Sequence, residues 1–338
     1  MARFRLTGLD GRNPLHFLAA LGLLRLGDRI RPGMRLGWSF EGAVRNPVLE
    51  PVADFADLER LAESMAAWLR ELGSTNPSPP TKAVNLPFGQ GIAHLGDIIK
   101  APVGIFRNLG ENALRDWFDS VSAGKFPICP VQDDPWLVLQ QLTALASEVW
   151  LKNGYLKETP LSFGNGGGKQ FLLKHFRMLA GNVNRRNLIA SLMGGQTRFV
   201  IGGTALNWDP SDRRSHALQA RDPESTKKIV DVSANVLAYI GLSFVKVVPC
   251  RPGFSRILGY ISNQKLSKGD SLKDGSVGSF YYPLWERTIP VDLVSVLFSQ
   301  LDRLTTSVPQ NGIREIWGSR IVSCDKRKYF SRPRLIVS

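Results

Sequence analysis

The chain has 338 residues, with 43 Lys and Arg against 29 Asp and Glu and a net charge of +14. Hydrophobic residues make up 43% and charged residues 21%, which excludes a disordered or fibrous chain. No run reaches the ~18 uninterrupted apolar residues of a membrane span, and the opening MARFRLTGLDGR, charged and broken by glycine, does not read as a secretory leader.

The basic excess predicts a polyanion partner, because it creates a long-range field attractive to phosphates. Cys129, Cys250 and Cys324 lie far apart with no C-x-x-C pair, so a zinc knuckle or redox motif is not expected and a reducing, cytoplasmic setting is. The four histidines, His16, His94, His175 and His216, are equally scattered. Neither a metal ion nor a cofactor is expected.

In chain order, residues 3–9 predict a short strand. Asn13 is a good N-cap and Pro14 suits the first helical position. The apolar LHFLAALGLLRL that follows predicts a buried helix, with Gly27 at its end. MRLGWSF (34–40) alternates Met34, Leu36, Trp38 and Phe40 inward, as a strand does. Residues 54–72 carry Leu58, Leu61, Met65, Leu69 and Leu72 at helical spacing behind an Asp54 cap, with Gly73 as the stop. STNPSPPT (74–81) reads as a linker and the glycine-rich 82–110 as irregular. Asp134-Pro135 predicts a helix running to about Trp150.

The middle of the chain changes character. From Thr159 to Trp208 there is no Asp or Glu, where an average share would place about four. The same window holds Lys169, Lys174, Arg177, Arg185, Arg186 and Arg198. Helices are expected over Lys169–Ala180 and from Asn184 to about Met193, then strand and turn in RFVIGGTALNW. Further on, 233–242 predicts a helix capped by Ser233, SFVKVVP a strand, and FSRILGYI (254–261) another. NQKLSKGDSLKDG (263–275) reads as a polar basic loop, 290–304 as a helix, and KRKYFSRPR as a basic tail. Irregular alternation without βαβ periodicity predicts an α+β fold. Two domains are expected, an N-terminal α+β domain over 1–155 and a basic nucleic-acid-contacting one over 156–338.

The run Phe163-Gly-Asn-Gly-Gly-Gly-Lys169 invites a nucleotide-loop reading and fails it. A P-loop needs Gly at 163 and Ser or Thr at 170, where Phe163 and Gln170 stand. The dinucleotide fingerprint needs Gly at 169, which is Lys169. What survives is a glycine run opening a basic helix, whose N–H groups and positive dipole end suit a backbone phosphate. Lys169, Lys174 and Arg177 are the phosphate candidates there; a flexible glycine loop between packed elements is the alternative. Asn184, Asn187 and Gln196 interleave with Arg185, Arg186 and Arg198. Asn and Gln suit adenine edges, and Arg suits guanine edges or phosphates; the same mixture also occurs on solvated faces. Lys265 and Lys268 in the later loop, and the tail basics, are surface cations that become phosphate tracks if the fold turns them to one side. Tyr329 and Phe330 either stack bases or pack. Glu111, Asp116 and Asp119 on one helix could ligate magnesium, but a solvated helix surface is the explanation favoured for them.

The opening LTGLDGRNPLHFLAALGLLRL resembles the N-terminus of CRISPR-associated proteins of type I subtype G (formerly U) systems. The pattern falls on Gly11 or Gly8, Pro14, Leu15, Phe17, Leu18, Ala19, Ala20, Leu21, Gly22, Leu24, Arg25 and Leu26. Looser similarity lies in SFGNGGGKQFLLKHF, ANVLAYIGLSFVKVVP and YYPLWERTI. The resemblance implies a Cas8-like large subunit, or an accessory subunit, of an RNA-guided Cascade complex. Implied partners are guide RNA, target double-stranded DNA, the backbone and guide-processing Cascade subunits, and a helicase-nuclease recruited on target. Such subunits help recognise the protospacer-adjacent motif and open the duplex without catalysing cleavage, reading a short element while guide pairing reads the rest. The rival expectations are a metal-dependent nuclease and a scaffold contacting guide RNA only.

Overall fold

In the computed structural model the described residues are 2–73, 146–152, 155–158, 161, 163, 172–195, 198–201, 206–210, 228–251, 254–262, 278–304, 312–324 and 327–338. Helices and antiparallel strands are combined in an α+β arrangement. The first strand, β1 (Phe4–Arg5), leads into α1 (Pro14–Ile30). Asn13 caps this helix, its side chain accepting from the Leu15 N–H at 2.9 Å, and Pro14 takes the first turn. These local choices satisfy an orphan donor and preset φ.

The helix does not stop at Gly27 as its sequence suggests. Gly27 stays helical, and a Cβ on it would sit 3.2 Å from the Met65 side chain and 3.3 Å from Met34. The turn comes later, where the Asp28 carboxylate accepts from the Gly33 and Met34 N–H groups and Gly33 adopts a left-handed φ of 94°. A Cβ at 27 would press only on the flexible ends of two methionine side chains, whereas glycine at 33 is required by conformation.

Four short strands form one sheet in the order β1, β3 (Pro47–Glu50), β2 (Arg35–Trp38) and β12 (Ile289–Pro290). Of the residues expected inward over 34–40, Met34, Leu36 and Trp38 are buried and Phe40 is half-buried; Gly37 and Ser39 are buried too, so both faces of this stretch are covered and a strict alternation does not hold. Helix α2 (Phe55–Gly73) follows and packs on α1. Asp54 accepts from the Asp57 N–H, as the cap reading predicts, and Leu58, Leu61, Met65 and Leu69 are buried. The linker expected over 74–81 and the irregular segment expected over 82–110 lie outside the described residues, as does most of the helix expected after Asp134.

The end of that expected helix is corrected. Ala146–Lys152 is a strand, β4, paired antiparallel with β5 (Tyr155–Glu158). The sequence Asn153-Gly154 between them is a strong hairpin signal. Two helices follow as a pair, α3 (Leu172–Gly181) and α4 (Arg185–Met193). Strands β6 (Arg198–Ile201) and β7 (Lys228–Asp231) pair antiparallel, with Arg198 in register with Asp231.

Helix α5 (Val232–Gly241) begins one residue before the predicted start. Its cap is Asp231, not Ser233: the Asp231 carboxylate accepts from the Ala234 N–H at 2.9 Å. A tight turn over Leu242–Phe244 then delays the expected strand, β8, to Val247–Arg251. The single strand expected over 254–261 is two, β9 (Phe254–Ile257) and β10 (Tyr260–Ser262). The chain turns between them at Gly259, whose φ is 75° and where a Cβ would lie 2.6 Å from the Tyr281 carbonyl oxygen. Only glycine fits both conditions.

The largest sheet is built on β11 (Gly278–Trp285) and β13 (Ile313–Cys324), with β10 on the outer side of β11. Both β14 (Arg327–Phe330) and β15 (Arg334–Val337) pair with β13. Helix α6 (Val291–Leu304) follows β12, close to its expected span. Tyr329 and Phe330 are buried, so of the two readings of the tail aromatics the structure takes packing.

One core joins the described residues on both sides of position 155. Phe17 of α1 stacks on Trp38 at 5.6 Å and meets Tyr282 at 4.7 Å and Phe298 at 6.0 Å. Trp285 stands edge-on to Trp38, and its indole N–H donates to the Leu36 carbonyl at 2.7 Å. Each such buried aromatic contributes about 1.5–3 kcal/mol. The boundary expected at 155/156 is crossed by these contacts and by the β2–β12 pairing. Among the described residues, no helix is long and apolar enough to cross a membrane.

Candidate nucleic-acid interface

The acid-free window supplies α3 and α4. A short turn joins the helices: Asn182 N–H donates to the Leu179 carbonyl, and Val183 N–H to that of Ala180. The Asn182 amide adds a bond to the Met178 carbonyl at 2.6 Å. Val183, Leu188 and Leu192 are buried and hold the pair against the core, while Asn184, Arg185 and Arg186 are exposed. Lys174 and Arg177 lie on α3, and Arg198 lies on β6 opposite Asp231. Lys174 and Arg177 on α3, and Arg185 and Arg186 on α4, thus lie on consecutive elements. Lys169, Gln196, Lys265 and Lys268 lie outside the described residues, as do Glu111, Asp116 and Asp119.

Asn184 and Asn187 form a reciprocal cap. The Asn184 side chain accepts from the Asn187 N–H at 2.9 Å, and the Asn187 side chain accepts from the Asn184 N–H at 2.9 Å. Asn187 goes further. It is buried, its amide donates to the Asn182 carbonyl at 2.8 Å, and its oxygen also accepts from the Ser233 hydroxyl at 3.0 Å. An amide committed in this way does not face a base edge, so Asn187 leaves the set of candidate readers and becomes a helix cap. Asn at N3 resembles the usual Glu or Gln of a capping box; the Asn184–Asn187 spacing was the available signal for it.

Electrostatically, the two arginines occupy the first positions of α4, against the preference of the helix dipole for anions there. Arg185 lies 3.9 Å from Glu59 of α2, with both side chains substantially exposed. Arg186 is exposed and makes no ion pair among the described residues. A cation placed against the dipole attracts an external anion more strongly than one already neutralised by its surroundings.

Other basic residues are committed elsewhere, which the net charge alone conceals. Arg12 pairs with Asp10 at 2.6 Å, Arg31 with Asp57 at 2.8 Å and Arg45 with Glu315 at 2.7 Å. The Asp10 hydrogen bond holds the Arg12 guanidinium above its ordinary value despite partial burial. Asp10 also accepts from the Arg45 N–H, the Tyr282 hydroxyl donates to the Arg12 carbonyl, and the Trp317 indole donates to Glu315. This polar cluster fastens the 10–13 turn to β11 through Tyr282 and, by way of Arg45, to β13. Sequence reading saw only a helix cap there, because the partners lie about 270 residues away.

The opening motif that carries the family resemblance is largely core. Pro14, Leu15, Phe17, Leu18, Ala19, Ala20, Leu21, Gly22, Leu24 and Leu26 are all buried. Arg25 stacks its guanidinium over the Phe244 ring, 4.3 Å from the centroid. Burial pushes the nearby Lys246 ammonium below its ordinary value, Arg25 lowers it further, and Asp292 opposes the shift. Among the described residues, no group of three His, Cys, Asp or Glu is placed to hold a metal ion. No protein-family model matches the chain, and no curated protein is found to be similar to it.

Proposed function

We propose that the chain is a non-catalytic nucleic-acid-binding subunit of an RNA-guided type I CRISPR effector, contributing to protospacer-adjacent motif recognition and duplex opening. Its partners in this reading are guide RNA, target double-stranded DNA, the backbone and guide-processing subunits, and a helicase-nuclease recruited on target, all in the cytoplasm. The observation that carries the binding part is the exposed Arg185–Arg186 pair on a capped helix inside a fifty-residue stretch without carboxylates. The effector assignment rests on the resemblance of the opening segment.

Phosphate contacts supply affinity and register, and base contacts supply specificity. The committed amide of Asn187 leaves the α4 end with guanidinium groups as its main instruments, which suits backbone contact. Motif reading then falls to the remaining candidates, Asn184, Gln196 and Arg198 among them.

The test is co-purification of the chain with the subunits of its own operon, extraction of any bound RNA, and a target-DNA shift assay across a salt series. The reading expects guide RNA in the complex, salt-sensitive DNA binding, and weakening by Arg185→Ala/Arg186→Ala. Divalent-dependent DNA degradation by the purified chain would overturn it in favour of the nuclease. Unchanged target binding by the double variant, in a complex that retains RNA, would instead support a guide-only scaffold.

A further inference from the structure

Helix α4 has nine residues, too few for stability on its own. Its direction is set from outside, and the far end is held by the opening segment of the chain. The Gly8 N–H donates to the Leu192 carbonyl at 2.9 Å, and the Thr7 hydroxyl donates to the Met193 carbonyl at 2.9 Å. Both acceptors belong to the last turn, whose carbonyls lack partners within the helix. The contact is backbone to backbone: a Cβ on Gly8 would lie 2.2 Å from the Ser191 carbonyl oxygen and 2.3 Å from the Gly194 nitrogen. Gly194 itself closes the helix in the left-handed region, at φ 87°.

A second set of contacts fixes rotation about the helix axis. The Ser191 hydroxyl donates to the Asp231 carboxylate at 3.0 Å, and Asp231 caps α5. One turn earlier, Asn187 takes the Ser233 hydroxyl. With both ends and one side pinned, Arg185 and Arg186 cannot swing without breaking a contact about 12 Å away, at 1.5 Å rise per residue.

We infer that Thr7 and Gly8 are positioning residues for the Arg185–Arg186 pair, setting the strength of polyanion binding through the far end of α4 while touching no ligand. This rests on the interface reading above. It gives the T-G of the opening segment a role apart from the buried helix that follows it.

The experiment is a double-mutant cycle on the full chain, read by fluorescence anisotropy with a short labelled DNA duplex of mixed sequence across a potassium chloride series. Arg185→Ala/Arg186→Ala is expected to weaken binding and to flatten the salt slope by about 1 per arginine. Gly8→Ala and Thr7→Val are each expected to weaken binding by about two- to tenfold, flatten the same slope, and have no further effect in the arginine-free background. Thr7→Ser should restore the parent slope. General destabilisation would lower the melting temperature but would not erase the effect selectively in that background. If Gly8→Ala fails to fold, Thr7→Val decides, since Thr7 is exposed.

Parent-like affinity and slope in the Thr7 and Gly8 variants, or losses that simply add to those of the arginine variant, overturn the positioning role while leaving the interface intact. If Arg185→Ala/Arg186→Ala binds as the parent does, the interface reading itself falls, and the positioning role with it.

Discussion

Gly22 and Gly241 meet where α1 crosses α5, and neither has room for a side chain. A Cβ on Gly22 would lie 1.8 Å from the Leu237 carbonyl oxygen, and one on Gly241 would lie 2.0 Å from that of Leu18. The helices therefore pack backbone against backbone at the centre of the core. Gly22→Ala should destabilise by about 3 kcal/mol or more, because the obstruction is main chain and cannot rotate away. Denaturant unfolding of purified protein measures it; a loss below about 0.5 kcal/mol would mean the crossing is looser than described.

Asp57 sets a pH limit on the α1–α2 region. The Arg31 guanidinium, through paired bonds at 2.8 Å, lowers its carboxyl to about 2, with the Ala53 N–H and Arg60 assisting against burial. The unfolded reference is 3.8. A depressed carboxylate stabilises the folded state above the unfolded value and loses that contribution as pH falls from about 4 to about 2. Arg31 is 42% exposed, so solvent screening holds the contribution to about 1–2 kcal/mol. Unfolding measured against pH should show Asp57→Asn less stable than the parent at neutral pH, with the difference closing toward pH 2.

Asn187→Ala removes a buried amide that serves three polar groups. The Ser233 hydroxyl, the Asn182 carbonyl and the Asn184 N–H lose their partner, at about 2 kcal/mol in total stability. Because the amide faces inward, relative affinities for different DNA sequences should not change. A competition assay among duplexes of differing sequence checks this; altered preference would return Asn187 to the readers.

Trp285→Phe tests the junction of the two large sheets. It leaves the buried Leu36 carbonyl without its indole donor and should cost about 1–3 kcal/mol, while preserving most of the aromatic contact with Trp38. Thermal unfolding followed by circular dichroism measures the loss, and an unchanged midpoint would show that the 2.7 Å bond contributes nothing net.

Local chemistry was legible in the sequence. Asn13-Pro14 started α1, Asp54 capped α2, Asn184 opened α4, and the Met34–Trp38 alternation marked β2, because each depends on residues a few positions apart. Boundaries failed where a distant contact overrode the local signal. Gly27 suggests a stop, yet α1 runs on to Ile30, and the alternation of 254–261 conceals a turn at Gly259, where the Tyr281 carbonyl leaves room only for glycine. Ser233 looks like a cap in the sequence, yet its hydroxyl is drawn to Asn187 of a neighbouring helix.

The candidate interface divides in the same way. Composition determined that the centre of the chain is cationic and lacks carboxylates, since counting residues needs no coordinates. Only tertiary structure decided which polar groups are available: Asn187 is used internally, Arg12, Arg31 and Arg45 are paired with carboxylates, and Arg186 is left exposed. The reason is physical. A residue's identity fixes its charge and its hydrogen-bonding capacity, but which partner takes up that capacity depends on segments brought together across tens to hundreds of residues.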